Sequence, residues 1–206
     1  MRKLYGGLLC LDFANTLEPR GAAPVRDWLR GYPDLVAWAR HAGALDQATA
    51  ERLLALAAAR PAAAEASFAA AIELREATYR AFAAVAGGAG PSAEDLAVLQ
   101  RAYAEAMRHA RLLPDPGSGQ LAWAWEEGEA LDRAWWPMAR SAVELATAGP
   151  LGRVKQCRPG CGFLFFDASK NRSRRWCSME ECGGQTKARR QTARRRAARA
   201  QTGAGG

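Results

Sequence analysis

Four of the five cysteines of this 206-residue chain lie within a stretch of 26 residues. Their spacing is C-x3-C-x15-C-x4-C, formed by Cys157, Cys161, Cys177 and Cys182. Two close pairs joined by a spacer of this length are what a tetrahedral four-thiolate zinc site requires, because each pair chelates from a single turn. Four sulfur ligands close the coordination shell. We therefore predict one structural Zn²⁺ and no open position for catalysis.

Two disulfides are the alternative use of the same four cysteines. Disulfides persist in oxidising compartments, and the N-terminal sequence does not resemble a signal peptide, because the apolar residues 8–11 are soon followed by Asp12. No stretch approaches 18 uninterrupted apolar residues, so we predict no membrane span. We expect a cytoplasmic protein whose cysteines bind metal.

The residues around the cysteines predict a small treble-clef-like module, composed of a β-hairpin and a basic helix. Gly160 and Gly162 permit a tight knuckle at the first cysteine pair. Residues 163–166 predict a strand, and residues 175–176 are expected to form the returning strand. Ser178 is a natural N-cap, so a helix is expected directly after it.

Charge is divided unevenly along the chain, whose formal net charge is +8. From residue 151 onward there are 14 Lys and Arg against 3 Asp and Glu, a net charge of +11, whereas the first 150 residues carry 15 against 18, a net charge of −3. This asymmetry indicates a polyanionic partner for the C-terminal part. The residues predicted to contact nucleic acid are Lys170, Arg172, Arg174, Arg175, Lys187, Arg189, Arg190, Arg194, Arg195 and Arg196.

The predicted partner is nucleic acid, in the first instance double-stranded DNA. A helix that is basic around much of its circumference has little apolar surface to bury. Phosphates relieve its self-repulsion, and the release of counterions drives the association. The alternatives are RNA binding, a protein-interaction adaptor without sequence-specific DNA readout, and a solvated extension that only maintains solubility. A homodimer is compatible with the DNA-binding interpretation.

The first 150 residues predict a mainly helical domain with a short β element. Helix propensity or helical spacing of apolar residues marks five segments, at 34–42, 46–59, 68–85, 92–107 and 131–145. Ser92 and Asp95 are spaced like a capping box, and Pro137 either kinks the last helix or marks its start. The alternation of Trp123 and Trp125 with alanines predicts a strand.

The predicted organisation is a helical domain over 1–150, a zinc module over 151–200 and a disordered tail over 201–206. Within the helical domain, Asp12, Asn15 and Arg75 are polar residues in apolar surroundings, where burial demands hydrogen-bond partners. We hypothesise that they line a pocket for an unknown small-molecule effector that alters the presentation of the zinc module. A structural polar cluster is the alternative, and it is the favoured one.

The sequence also resembles a known family. Residues 171–179 (Asn-Arg-Ser-Arg-Arg-Trp-Cys-Ser-Met) and residues 153–157 look like the CGNR-type zinc finger, and residues 9–16 resemble the start of the helical ABATE domain that precedes it. The resemblance implies a stress-induced transcription regulator that binds DNA. The name-giving tetrad reads Cys-Gly-Gly-Gln here, at 182–185. The cysteine ligand is kept, but contacts of the family's Asn and Arg do not transfer.

No catalytic constellation is visible in the sequence. The two histidines, His41 and His109, lie in helical segments far from the cysteines. The chain has no glycine-rich phosphate loop, no metal-binding histidine pair and no nucleophile elbow. We therefore expect that the protein is not an enzyme.

Overall fold

The computed structural model describes residues 3–20, 23–115, 117, 119–157, 160–184 and 186. Within these residues there are six α-helices: α1 (Leu9–Ala14), α2 (Tyr32–His41), α3 (Gln47–Ala59), α4 (Pro61–Ala86), α5 (Ala93–Arg108) and α6 (Trp136–Ala148). Three antiparallel pairs of strands accompany them: β1 (Leu17–Glu18) with β2 (Arg26–Asp27), β3 (Ala110–Pro114) with β4 (Leu121–Trp125), and β5 (Val154–Gln156) with β6 (Leu164–Phe166). The predicted mainly helical fold with short β elements is confirmed.

The helix ends follow from local side chains. Asp46 accepts a hydrogen bond from the backbone N–H of Thr49 at 2.7 Å and so caps α3. Ser92 caps α5 in the same way, accepting from the N–H of Asp95 at 3.1 Å. Pro137 lies in the first turn of α6, where a proline costs no backbone hydrogen bond. It therefore marks the start of the helix.

Helix α1 was not predicted, because six residues are too few to show a helical period. It lies at the centre of the fold and contacts α4, α6 and β6. Cys10 is fully buried there, and burial raises the pKa of its thiol to about 12. This cysteine therefore behaves as a small apolar side chain.

The apolar core runs from the helices into the C-terminal module. Helix α4, with 26 residues the longest described, buries Leu74 and Phe82 against its neighbours. Val154 of β5 and Leu164 of β6 belong to the same apolar cluster as α1 and α6. The module is thus packed against the helical part. In the described part of the chain, no helix is both long and apolar enough to cross a membrane.

The strand predicted around Trp123 is confirmed as β4, but its partner β3 was not predicted. Leu112 lies opposite Trp123 in this hairpin, and the two side chains are 50% and 42% exposed. Without a buried face, β3 shows no alternation in the sequence. Trp135 and Trp136 are buried in the helical core, where His109 stacks on Trp136 with ring centroids 4.3 Å apart.

Candidate metal centre and nucleic-acid interface

The four predicted zinc ligands come together in the structure, with all four Sγ atoms within 4.8 Å of one another. The Sγ atom of Cys177 lies 3.7 Å from that of Cys161 and 3.6 Å from that of Cys182. Thiolates about 2.3 Å from a tetrahedral Zn²⁺ are separated by about 3.8 Å, whereas a disulfide brings its sulfurs to about 2.05 Å. The cysteines are all free thiols. The donor set fits zinc, and the module binds one structural zinc ion.

The sulfur cluster is largely shielded from solvent, because only Cys161 is partly exposed. Hydrogen bonds from Cys161 and Cys177 lower the pKa of the Cys157 thiol. The same interactions raise the pKa values of Cys161 and Cys177. The arrangement thus stabilises Cys157 as a thiolate hydrogen-bonded by neighbouring thiols. A bound divalent cation favours deprotonation of the remaining cysteines.

The first cysteine pair is held in the turn between β5 and β6. Gly160 and Gly162 adopt φ values of 89° and 72° there, a conformation that favours glycine, which agrees with the predicted knuckle. The backbone N–H of Cys157 donates to the carbonyl of Phe163 at 2.7 Å and closes the turn. Phe163 and Phe165 pack beside the sulfurs.

The hairpin differs from the predicted one in its partner strand. Residues 163–166 include β6, as predicted, but β6 pairs with β5, so that Val154 lies opposite Phe166. The prediction of a returning strand at 175–176 is wrong, because neither residue is in a strand. In residues 167–174, which follow β6, backbone groups form hydrogen bonds with the charged side chains of Lys155 and Asp167 instead. Strand β5 is only three residues long, too short to reveal itself by alternation.

The second cysteine pair frames a short helical turn. Ser178 accepts a hydrogen bond from the N–H of Glu181 at 3.2 Å, which confirms the predicted N-cap. The wide turn Met179–Gly183 follows and carries Cys182. A Cβ atom on Gly183 would lie 3.1 Å from Met179 Sδ and 3.2 Å from a ring carbon of Trp176. Close packing therefore explains the glycine that follows the last ligand.

Residues 167–174, here called the Asp167 loop, are organised by an ion pair. Asp167 is fully buried and accepts hydrogen bonds from Lys155 Nζ at 2.6 Å and from the N–H of Arg174 at 3.0 Å. Burial raises the pKa of Asp167, but hydrogen bonds from Lys155 and Ser169 outweigh it and hold the pKa well below its ordinary value. Sequence reasoning missed both residues. The available signal was that Asp167 is the one acid between residues 151 and 179.

Three of the four predicted contact residues in this loop region are exposed: Lys170, Arg172 and Arg175. Arg174 is different. Its guanidinium donates to four backbone carbonyls, those of Tyr5, Phe166, Trp176 and Cys177, and lies 4.6 Å from the ring centre of Phe165. The geometry therefore gives Arg174 a structural role and leaves little of it for a partner.

The rest of the predicted contact residues lie outside the described residues. They are Lys187, Arg189, Arg190, Arg194, Arg195 and Arg196. The predicted tail at 201–206 and Gln185 of the altered tetrad also lie there. Of the predicted contact residues, the structure thus describes those of the Asp167 loop and its neighbour Arg175.

Residues 3–7, here called the N-terminal segment, lie against the zinc module, which sequence reasoning did not anticipate. The N–H of Phe166 donates to the carbonyl of Gly6 at 2.7 Å, and Tyr5 Oη donates to Glu181 Oε1 at 2.5 Å. Lys3 forms an exposed ion pair with Glu180 at 3.4 Å. A Cβ atom on Gly6 would lie 2.7 Å from the backbone nitrogen of Asp12. Only glycine allows this close passage.

The three predicted pocket residues all have protein partners. Asp12 accepts from the N–H of Gly6 at 2.7 Å, and burial raises the pKa of its carboxyl. The Asn15 amide donates to the carbonyl of Leu164 at 2.8 Å and accepts from its N–H at 2.9 Å. Arg75 forms a two-pronged ion pair with Asp27 at 2.7 and 2.8 Å. Each of the three side chains therefore has the protein partner that its burial demands.

Two of these residues also line a cavity of about 440 Å³. Asp12 and Asn15 contribute to its wall together with Tyr5 of the N-terminal segment and Phe163 of the zinc module. Arg75 is not among the lining residues, but its partner Asp27 is. The cavity therefore lies where the helical part, the N-terminal segment and the module meet.

Comparison with protein families gives two matches in succession. Residues 7–149 match ABATE, a family described as "Putative stress-induced transcription regulator". Residues 153–195 match the CGNR zinc finger. In a comparison with curated proteins, none matches this chain. The family matches agree with the resemblances seen in the sequence, in the same order along the chain.

Proposed function

The chain belongs to the ABATE family, described as "Putative stress-induced transcription regulator", and carries a CGNR zinc finger. We propose that it regulates transcription by binding double-stranded DNA through its zinc module. The observation that carries this proposal is the arrangement of positive charge. Lys170, Arg172 and Arg175 are exposed, and they lie in the sequence between the two pairs of cysteine ligands. The zinc ion and the Asp167–Lys155 pair fix the backbone from which these side chains project.

Phosphate contact explains this surface better than base readout does. The exposed side chains are arginine and lysine, which neutralise phosphates and release counterions. The Asn and Arg of the family tetrad are replaced by Gly184 and Gln185. DNA affinity should therefore depend steeply on salt and weakly on base sequence.

The test is a titration of the full chain with duplex DNA at several salt concentrations. Arg172→Ala with Arg175→Ala should weaken binding, and each lost phosphate contact should flatten the slope of log K against log salt by about 0.9. Arg101→Ala is the matched control, since Arg101 is an exposed arginine of α5 that pairs with Glu73 at 3.2 Å. An unchanged slope in the double variant would overturn the proposed surface.

The alternative function is an RNA-binding or protein-binding adaptor. The same basic surface supports it, because RNA offers the same phosphates. Titration with single-stranded RNA of equal length separates the two. Equal or tighter binding of RNA would favour the RNA-binding adaptor. No binding of either nucleic acid at low salt would favour the protein-binding adaptor.

We further propose that the helical part senses an effector and is not itself an enzyme. The matched families are a regulator family and a zinc finger. The cavity supports effector sensing, because Tyr5 of the N-terminal segment and Phe163 of the zinc module both line it. If the module adopts two arrangements, a ligand that binds these side chains more tightly in one of them would increase the population of that arrangement. The cytoplasm is the compartment proposed for this activity.

A further inference from the structure

Four aromatic side chains contribute to the wall of the cavity described above. Trp28, Trp38, Tyr5 and Phe163 all line it, and Trp38 and Phe163 are only 7% and 3% exposed. Its volume, about 440 Å³, lies in the range of cavities that hold small organic molecules. Rigid aromatic walls favour a flat, apolar ligand.

The acidic side chains of the wall are already engaged. Asp27 is paired with Arg75 at 2.7 Å, and Asp34 with Arg30 at 3.2 Å. Asp12 accepts the N–H of Gly6 at 2.7 Å. A cationic ligand would therefore have to displace an existing partner, which is costly where the partner is a buried guanidinium such as that of Arg75.

The basic side chains of the wall are not all engaged. Lys3 pairs with Glu180 and Arg30 with Asp34. Arg26 is exposed and, in the described part of the chain, forms no ion pair; its guanidinium instead lies 3.6 Å from the ring centre of Trp28. Arg26 thus offers a planar set of donors at the edge of an aromatic wall.

From these observations, and resting on the effector-sensing part of the proposed function, we propose that the cavity binds an aromatic carboxylate. The ring system packs among Trp28, Trp38 and Phe163. The carboxylate accepts two parallel hydrogen bonds from the guanidinium of Arg26, which is the bidentate arrangement common to arginine–carboxylate pairs. No covalent step is involved.

The test is calorimetric titration of the zinc-loaded full chain with three probes that share one ring system. Naphthalene-2-carboxylate, naphthalene-2-carboxamide and 2-naphthylmethylamine carry a negative, a neutral and a positive group. The carboxylate should bind at least about tenfold more tightly than the carboxamide, the ratio expected for one charge-assisted interaction. Arg26→Gln should abolish this difference and leave the affinity for the carboxamide unchanged.

Arg30→Gln is the matched control, because Arg30 lines the same cavity but is already paired with Asp34. It should change the affinity for the carboxylate by less than about twofold. Preference for the amine, binding of none of the probes at millimolar concentration, or a carboxylate preference that survives Arg26→Gln would each overturn the proposal. Zinc content and thermal stability, measured on every variant, identify any that fail to fold.

Duplex DNA titration of the same samples, with and without saturating carboxylate, separates this inference from the proposed function. Loss of carboxylate binding with intact DNA binding would refute the ligand class alone. Carboxylate binding that leaves DNA affinity unchanged would support the site and refute effector sensing. A change in DNA affinity that Arg26→Gln abolishes would support both.

Discussion

The helical part and the zinc module are stabilised by different interactions. The helical part buries apolar side chains, of which Leu74, Phe82 and Trp136 are each at most 2% exposed. The module buries few, and its backbone is held by sulfur ligands and by charged side chains. Lys155 donates to the Asp167 carboxylate and to two loop carbonyls, and Arg174 donates to four carbonyls.

This difference follows from size. A segment of about fifty residues has too small a core to offset the entropy of ordering its chain, so a metal and charge-assisted hydrogen bonds supply the remainder. Among the described residues after 150, Met179 is the one large apolar side chain that is exposed. Exposed arginines and lysines can then occupy the module's surface without disturbing a core.

The largest expected effect separates the two parts by removing zinc. Chelation, or Cys182→Ser, should unfold the module and leave the helices in place, because structural zinc contributes on the order of 10 kcal/mol in small modules. Elemental analysis should find about one zinc per chain, and limited proteolysis with circular dichroism should locate the loss after residue 150. Simultaneous loss of helical signal would show that the two parts unfold together.

The converse prediction breaks the helical part. Leu74→Ala should lower the free energy of unfolding by about 2–5 kcal/mol, because it leaves a cavity in a closely packed core. Leu74 is 1% exposed. Urea unfolding measures the loss, and competition with a chelator should show that zinc affinity is unchanged. Leu96→Ala, at a 46% exposed position of α5, is the control and should cost much less.

Two adjacent arginines sharpen the comparison within the module. Arg174→Ala should lower stability by about 2–3 kcal/mol, since it removes charge-assisted hydrogen bonds to several carbonyls. Arg175→Ala should change stability by less than about 0.5 kcal/mol, because the side chain is exposed, and should instead weaken DNA binding. Chemical unfolding and DNA titration of both variants measure the two effects. If the roles were reversed, the assignment of Arg174 as structural would be wrong.

The smallest expected effect concerns Asp12, at the junction of the two parts. Burial raises the pKa of its carboxyl in the folded protein. The protonated form is therefore favoured by folding, so its contribution is complete below the unfolded pKa, about 3.9, and is lost as pH rises through the folded pKa. Compared with Asp12→Asn, the wild type should become less stable from about pH 4 upward. Urea unfolding of both proteins across that range measures the difference, and a difference of opposite slope would contradict it.

The sequence revealed those features that leave a periodic or spaced pattern. The cysteine spacing predicted the metal centre, and the apolar repeats in α4 and α5 predicted helices, with Ser92 as a cap. Features that depend on three or fewer residues were missed, because β5 and the Asp167–Lys155 pair have no period. Contacts distant in sequence were missed for another reason. Nothing in residues 3–7 indicates that they lie against a module 150 residues later.

The polar residues near α1 illustrate a further limit. The sequence indicated that Asp12 and Asn15 are buried and need hydrogen-bond partners, but it did not identify those partners. Asn15 bonds both backbone groups of Leu164, a pairing that only the folded arrangement reveals. The same holds for Arg26, whose importance comes from its lack of an ion pair among the described residues rather than from any motif.

The hydrogen bonds between the N-terminal segment and the module also have a consequence for synthesis on the ribosome. Tyr5 and Glu181 are separated by 176 positions, and Asn15 and Leu164 by 149. At about 5–20 residues per second, the start of the chain waits roughly 7–35 seconds for these partners to be made. During that interval the side of α1 that will face β6 is uncovered. Because zinc binding is coupled to folding of the module, we expect the supply of zinc to affect how soon this surface of the nascent chain is covered.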